Sequence, residues 1–159
     1  MTPTETLPPQ IRAALDAHTT LTLAYADEDG PQACAVLYAV AEQQPGPVLV
    51  FVTSSHTRHG RALLSGDARV AFTAQRDGQE WTALTGVQGR GTCRLLDGAD
   101  RAAAWRAYSA RFPYVEESDR LREAMERAEL WELRPTWLRL VDNGRGFGHK
   151  TEWPSPLSA

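Results

Sequence analysis

The 159-residue sequence predicts an α+β fold, with a mostly antiparallel sheet closed into a small barrel and helices at its flanks. Two observations predict it. Three strand-like runs precede a short helical stretch, two more follow, and two helices and a last strand complete the order. The fifth run, "EWTALTGVQGRGTCRLLDG", carries glycines at 86, 89 and 91, and glycine inside a strand marks a bulge, a barrel bend or a close approach by another group.

Each element has its own signal. Pro8 and Pro9 before "QIRAALDAH" suit the first turn of a helix, with Ile11, Ala14 and Leu15 on one face. Leu21, Leu23 and Tyr25 alternate with small or polar residues up to Asp29-Gly30, where a second apolar run begins, which reads as a hairpin. "EQQPGP" turns again into "VLVFVT", a continuous apolar run expected to be covered on both faces. "TRHGRALLSG" reads as a short helix ending at Gly66, and "ARVAFTA" resumes strand patterning. Trp105, Tyr108 and Phe112 at helical spacing, stopped by Pro113, give an amphipathic helix; "EESDRLREAMERAE" gives a more solvated one, with Glu116, Glu117, Asp119, Glu123 and Glu126 on its wet face. "LWELRPTWLRLVDN" reads as a last strand bent at Pro135, followed by a tail. The chain is read as one domain, with a core over about 10–142 and a tail over 143–159.

Composition excludes several function classes. Seventeen Lys and Arg against twenty Asp and Glu give a formal charge of −3, so no long-range field attracts nucleic acid or an anionic membrane. No apolar stretch has membrane-spanning length and "MTPTETLPPQ" lacks a secretory pattern, so the expected location is the cytoplasm. Cys34 and Cys93 stand apart with no ligand-like neighbours, so neither zinc nor a disulfide is signalled, and both read as buried small apolar residues. Tryptophans 81, 105, 131 and 137 could stack on a flat ring, but most tryptophans in a domain of this size are core anchors, so these are left unassigned; His18 and His56 read as surface or cap residues.

The stretch "VTSSHTRHGRALLSG", residues 52 to 66, concentrates hydroxyls and cations at the start of a helix. Free backbone N–H groups, hydroxyl donors and an Arg fork together suit an anion, so Thr57, Arg58 and His59 are read as a candidate anion site, against the plainer reading of a solvated helix start. Arg61, one turn on, is read as a surface residue.

The residues resemble those of the FMN-binding split-barrel proteins related to pyridoxamine 5'-phosphate oxidase. "LTLAYADEDGPQACAVLYAV" is similar to that family's first hairpin, "VFVTSSHTRHGRALL" to its phosphate-binding segment, and "GVQGRG" to the strand that brings a glutamine to the isoalloxazine ring. "DNGRGFGHKTEW" resembles the ending of a small branch of the same superfamily. The resemblance implies a six-stranded antiparallel split β-barrel that binds FMN at the interface of a homodimer, acting as a flavin-dependent oxidoreductase on a small-molecule substrate.

Residue by residue, it puts Val52 and Thr53 at the strand edge against the flavin, Ala35 and Val36 in backbone contact with the ring, and Thr57, Arg58 and His59 at the phosphate. Gln88 faces a polar edge of the ring. Phe147 and Lys150, with His149 and Trp153, fold over the partner subunit's flavin. His59 stands where many members carry a lysine. No catalytic side chain is identified. The alternatives are a flavin-binding protein without turnover, or a barrel holding a deazaflavin or a haem, the haem reading resting on His149 or His59.

Overall fold

The computed structural model describes residues 3–43 and 46–156. Helix α1 (Pro9–Ala17) begins on the proline pair, whose φ suits a first turn, and buries Ile11 and Leu15 four residues apart on one face. Strands β1 (Thr20–Asp27) and β2 (Gly30–Gln43) form the expected hairpin, in which Asp27 pairs with Gly30. Gly30 has φ +106°, a conformation that L side chains rarely adopt, so the turn needs glycine there.

Strand β3 (Gly46–Thr53) is buried on both faces from Val48 to Phe51, as its unbroken apolar run implies. Helix α2 (Arg58–Ser65) follows, then β4 (Arg69–Ala74) and β5 (Thr85–Leu95). Helices α3 (Gly98–Arg111), α4 (Tyr114–Glu117) and α5 (Asp119–Arg127) lead to β6 (Glu129–Asp142) and β7 (Lys150–Trp153).

The strands form one sheet in the order β3-β2-β1-β4-β5-β6-β7, and a β3–β6 pairing closes the first six into a barrel. Every pairing is antiparallel. Leu21, Leu23 and Tyr25 of β1 point inside with Phe51, Phe72, Trp131 and Leu138, and α1 closes over them. A second apolar layer lies outside, where Ala39, Val48, Val50 and Leu130 pack on Ala104 and Tyr108 of α3 and on Phe112 just beyond its end. The Arg111 guanidinium donates to the carbonyl of Asp16 at 2.7 Å, tying the end of α3 to the end of α1.

Close approach explains two of the three strand glycines. A Cβ on Gly89 would stand 2.3 Å from the Phe72 ring, and one on Gly91 would stand 2.3 Å from the Arg134 carbonyl oxygen. The β5–β6 register shifts between Arg90 and Gly91, opposite Trp137 and Pro135, so Thr136 is the extra residue of a bulge at the predicted proline bend.

Five expectations are corrected. The tail adds a seventh strand, β7, paired with Leu138 to Val141 of β6. The single helix expected after Pro113 is two, because Ser118 leaves helical geometry and its side chain caps α5 by accepting from Leu121 N. Trp81 is 71% exposed rather than a core anchor. His18 does end α1, but its ring is buried instead of lying at the surface. Cys93 is buried as expected, whereas Cys34 is half-buried.

Candidate functional site

The barrel opens where β2 and β3 part. Their ladder runs from Gln43–Gly46 to Tyr38–Phe51 and stops; Val52 and Thr53 pair instead with Leu130 and Glu129 of β6. From Pro31 to Leu37, β2 keeps β1 as its ladder partner, which leaves one backbone edge free of a strand among the described residues. Ala35 and Val36 lie on one arm of this opening, and Val52 and Thr53 on the other. The Ala35 side chain is exposed, whereas Val36 points into the barrel core and offers only its backbone.

Beyond Thr53 the chain turns into α2. Thr57 caps the helix: its hydroxyl accepts from Gly60 N at 3.1 Å and donates to the Ser54 carbonyl at 2.7 Å. Gly60 lies so close to the Ser54 carbonyl that a Cβ would stand 2.3 Å from it, so the tight entry to α2 depends on this glycine.

His59 turns inward. Its Nε2 and Thr53 Oγ1 share a hydrogen bond of 2.6 Å whose direction the tautomer sets, and its ring centroid lies 6.2 Å from that of Tyr25. Burial holds the His59 pKa below its usual value near 6.5, so the ring is neutral at pH 7 and supplies no positive charge.

Arg58 is engaged by the hairpin. Its Nε donates to Asp27 at 2.7 Å and its Nη2 to Asp29 at 2.6 Å. Asp27, whose side chain is 7% exposed, also accepts from Asp29 N and from Gln32. The Arg58 hydrogen bond is the largest cause holding the Asp27 carboxyl below its usual pKa. On the other side of the loop, Ser55 donates to Glu129 through its amide at 3.2 Å and its hydroxyl at 2.6 Å.

The remaining predicted residues lie elsewhere in the subunit. Gln88 is exposed on the outer face of β5, in one lateral row with Thr73, Thr22 and Ala35. Three inter-strand steps separate it from Ala35, roughly 14 Å. Arg90 and Arg139 flank it and stack on Trp137, 4.7 and 5.1 Å from its ring centroid. Lys150 pairs with Val141, which pairs with Gly86 level with the start of β1, whereas Arg58 reaches Asp27 at its end. Seven strand residues at about 3.4 Å separate those levels, roughly 24 Å.

Phe147 is 82% exposed and lies against Trp81, with ring centroids 5.5 Å apart. Asn143 holds the pair in place, donating to the Trp81 carbonyl at 2.8 Å and accepting from Gly148 N at 2.9 Å. Trp153, expected to cover a flavin, is buried in the barrel core and donates to the Glu5 carbonyl at 2.8 Å. The structure thus gathers Ala35, Val36, Val52, Thr53, Thr57, Arg58 and His59 at one opening, and sets Gln88, Phe147 and Lys150 apart from it.

Sequence reasoning missed the carboxylates. Asp27, Asp29 and Glu129 take up donors that the residue pattern alone left free, and the "DEDG" turn was their one visible signal. For a flavin, the ring end of the site fits: a free strand edge, the small Ala35 side chain and an open split. The phosphate end does not. The cavity at the first turn of α2 is lined by Asp27, Glu28 and Asp29 against Arg58 and Arg61, a local charge of −1. Among the described residues no cluster of His, Cys, Asp or Glu could hold a metal ion. No described helix is long and apolar enough to cross a membrane.

Known proteins show the same architecture. The sequence pattern of the pyridoxamine 5'-phosphate oxidase family matches residues 7–142. The UPF0306 protein YhbP of Escherichia coli O157:H7 is 32% identical over 127 residues, 79% of each chain. A heme binding protein from Mycobacterium smegmatis superposes with a TM-score of 0.68 at 21% identity, over 93% of this chain and 59% of that one. A FAD-binding protein from Mesorhizobium loti superposes with a TM-score of 0.62 at 16% identity, over 86% of this chain and 95% of that one. With the split between β2 and β3 and the closure through β6, these matches show that the chain belongs to the pyridoxamine 5'-phosphate oxidase family of split-barrel proteins, alongside the UPF0306 proteins.

Proposed function

We propose that this protein is a homodimeric flavoprotein that holds a flavin of the FMN type in the split between β2 and β3 and acts as an oxidoreductase on a small molecule. The observation that carries this reading is the divergence of the two strands at Tyr38–Phe51, which leaves a hydrogen-bonding edge beside the small Ala35. A ring lying there meets backbone donors and acceptors from β2 on one side and Val52 and Thr53 on the other. A bound flavin supplies the hydride and electron chemistry; the chain's part is to orient the ring and limit solvent access.

The outer face of the sheet supports a dimer. Ala33, Ala24 and Ala71 form one exposed or half-exposed row across β2, β1 and β4, beside the row of Ala35, Thr22 and Thr73. Such a small-residue face suits a self-complementary contact. A second copy on this face also accounts for Gln88, Phe147 and Lys150, which lie too far from Arg58 to share a ligand with it in one subunit. They would serve the partner's flavin.

The second reading is haem. The Mycobacterium smegmatis neighbour is a heme binding protein, and the exposed His149 ring makes no side-chain hydrogen bond among the described residues, so it would be free to hold a haem iron. His59 is tied to Thr53 and suits that role less well. The test is sedimentation together with anaerobic reduction. A dimer whose bound flavin is bleached by NADH or NADPH and restored by an acceptor supports the oxidoreductase. A monomer, or bound flavin that no donor reduces, contradicts it.

A further inference from the structure

We infer that the chain's own carboxylates latch the phosphate end of the site shut, so that a flavin is recognised here through its ring and not through its 5'-phosphate. This rests on the flavin reading above.

Three contacts carry it. The Arg58 fork is divided between Asp27 and Asp29, at 2.7 and 2.6 Å, so the two donors that would grip a phosphate already face fixed anions. Glu129 occupies the Ser55 amide and hydroxyl, placing a carboxylate against the loop before α2. Thr57 spends its hydroxyl on the Gly60 amide and the Ser54 carbonyl.

The latch has a partner on each side of the loop. The Asp27 side chain is almost fully covered and holds the end of β1 by accepting from Asp29 N and Gln32 through one oxygen, while the other takes its charged donor from Arg58. Glu129 opens β6 and is fixed by its ladder to Thr53. A phosphate dianion approaching Arg58 meets these carboxylates at hydrogen-bond range of its own ligands, where like charges repel. Arg61, also exposed at the rim, makes no side-chain hydrogen bond among the described residues.

The test compares FMN with riboflavin, which share a ring and differ in the phosphate. Each is titrated into the wild-type protein and into the double variant Asp29→Asn, Glu129→Gln, which spares the buried Asp27. Folding is checked by circular dichroism and a thermal midpoint. Expected are wild-type dissociation constants for FMN and riboflavin within about threefold, and a variant that gains about tenfold for FMN with riboflavin unchanged. A wild type that binds neither flavin overturns ring recognition, whatever the variant binds. A wild-type preference for FMN of tenfold or more, or a variant with the wild-type ratio, overturns the latch and leaves the flavin reading standing. No flavin bound by either protein overturns both.

Discussion

Arg58 and Asp27 hold the first turn of α2 to the end of β1: the guanidinium Nε lies 2.7 Å from a carboxylate whose side chain is 7% exposed. A ligand phosphate and a covered neighbour would compete for this one guanidinium. The neighbour has the closer claim. Arg58→Ala is expected to lower the thermal midpoint while changing FMN affinity less than about threefold. A large loss of FMN affinity in a variant of unchanged stability would contradict this.

The same pair sets an acid limit. Asp27 has a folded pKa below its usual 3.8, so the stability it contributes is present above about that pH and is lost as pH falls through the folded value. Urea midpoints measured from pH 5 down to pH 2.5 are expected to fall more steeply in the wild type than in Arg58→Ala, where the cause of the shift is gone.

His18 works in a different window. Both of its ring nitrogens are buried without a hydrogen-bond partner among the described residues, and burial first, then Arg76, hold its pKa below 6.5. The unfolded chain takes the proton more readily, so stability is full above about pH 6.5 and falls as pH drops from there towards the folded pKa. His59, also lowered by burial, adds in the same direction. Replacing His18 by Leu is expected to flatten part of the slope between pH 7 and 5 without loss at pH 8, because no ring hydrogen bond is given up. A variant as pH-sensitive as the wild type would remove His18 from this role.

The strand glycines separate close approach from mere flexibility. Gly89→Ala drives a methyl into the Phe72 ring and is expected to cost about 1–3 kcal/mol in chemical denaturation. Gly91→Ala meets backbone, which cannot swing aside, and is expected to cost at least as much. At Gly86 the nearest atoms lie 3.6 Å from where a Cβ would stand, so Gly86→Ala is expected to be tolerated. Equal effects at all three positions would contradict the packing account.

Much of the fold was legible in the sequence. The alternation of Leu21, Leu23 and Tyr25 and the apolar run from Val48 to Phe51 are direct consequences of one-sided and two-sided burial, and the structure returns both. The tail strand was not legible, because Lys150 to Trp153 has little apolar pattern of its own and is held by pairing with β6 and by the Trp153 contact with Glu5. Trp81 misled because its type says core, while its exposure is set by a short turn that Asn143 holds outside the barrel.

The site was legible by half. The residues around the split, Ala35, Val36, Val52 and Thr53, lie together because strand order places them together. Which donors stay free near Thr57, Arg58 and His59 depends on Asp27, Asp29 and Glu129, and Glu129 lies 74 positions away from Ser55. Local pattern carries no record of such pairs.

The most direct test of the central claim is the visible absorption spectrum of the purified protein after flavin and, separately, haemin are added and the excess is removed by gel filtration. Retained flavin bands near one per subunit are expected, with riboflavin retained as well as FMN. Loss of both flavins, or a Soret band from haemin with no flavin held, would contradict it.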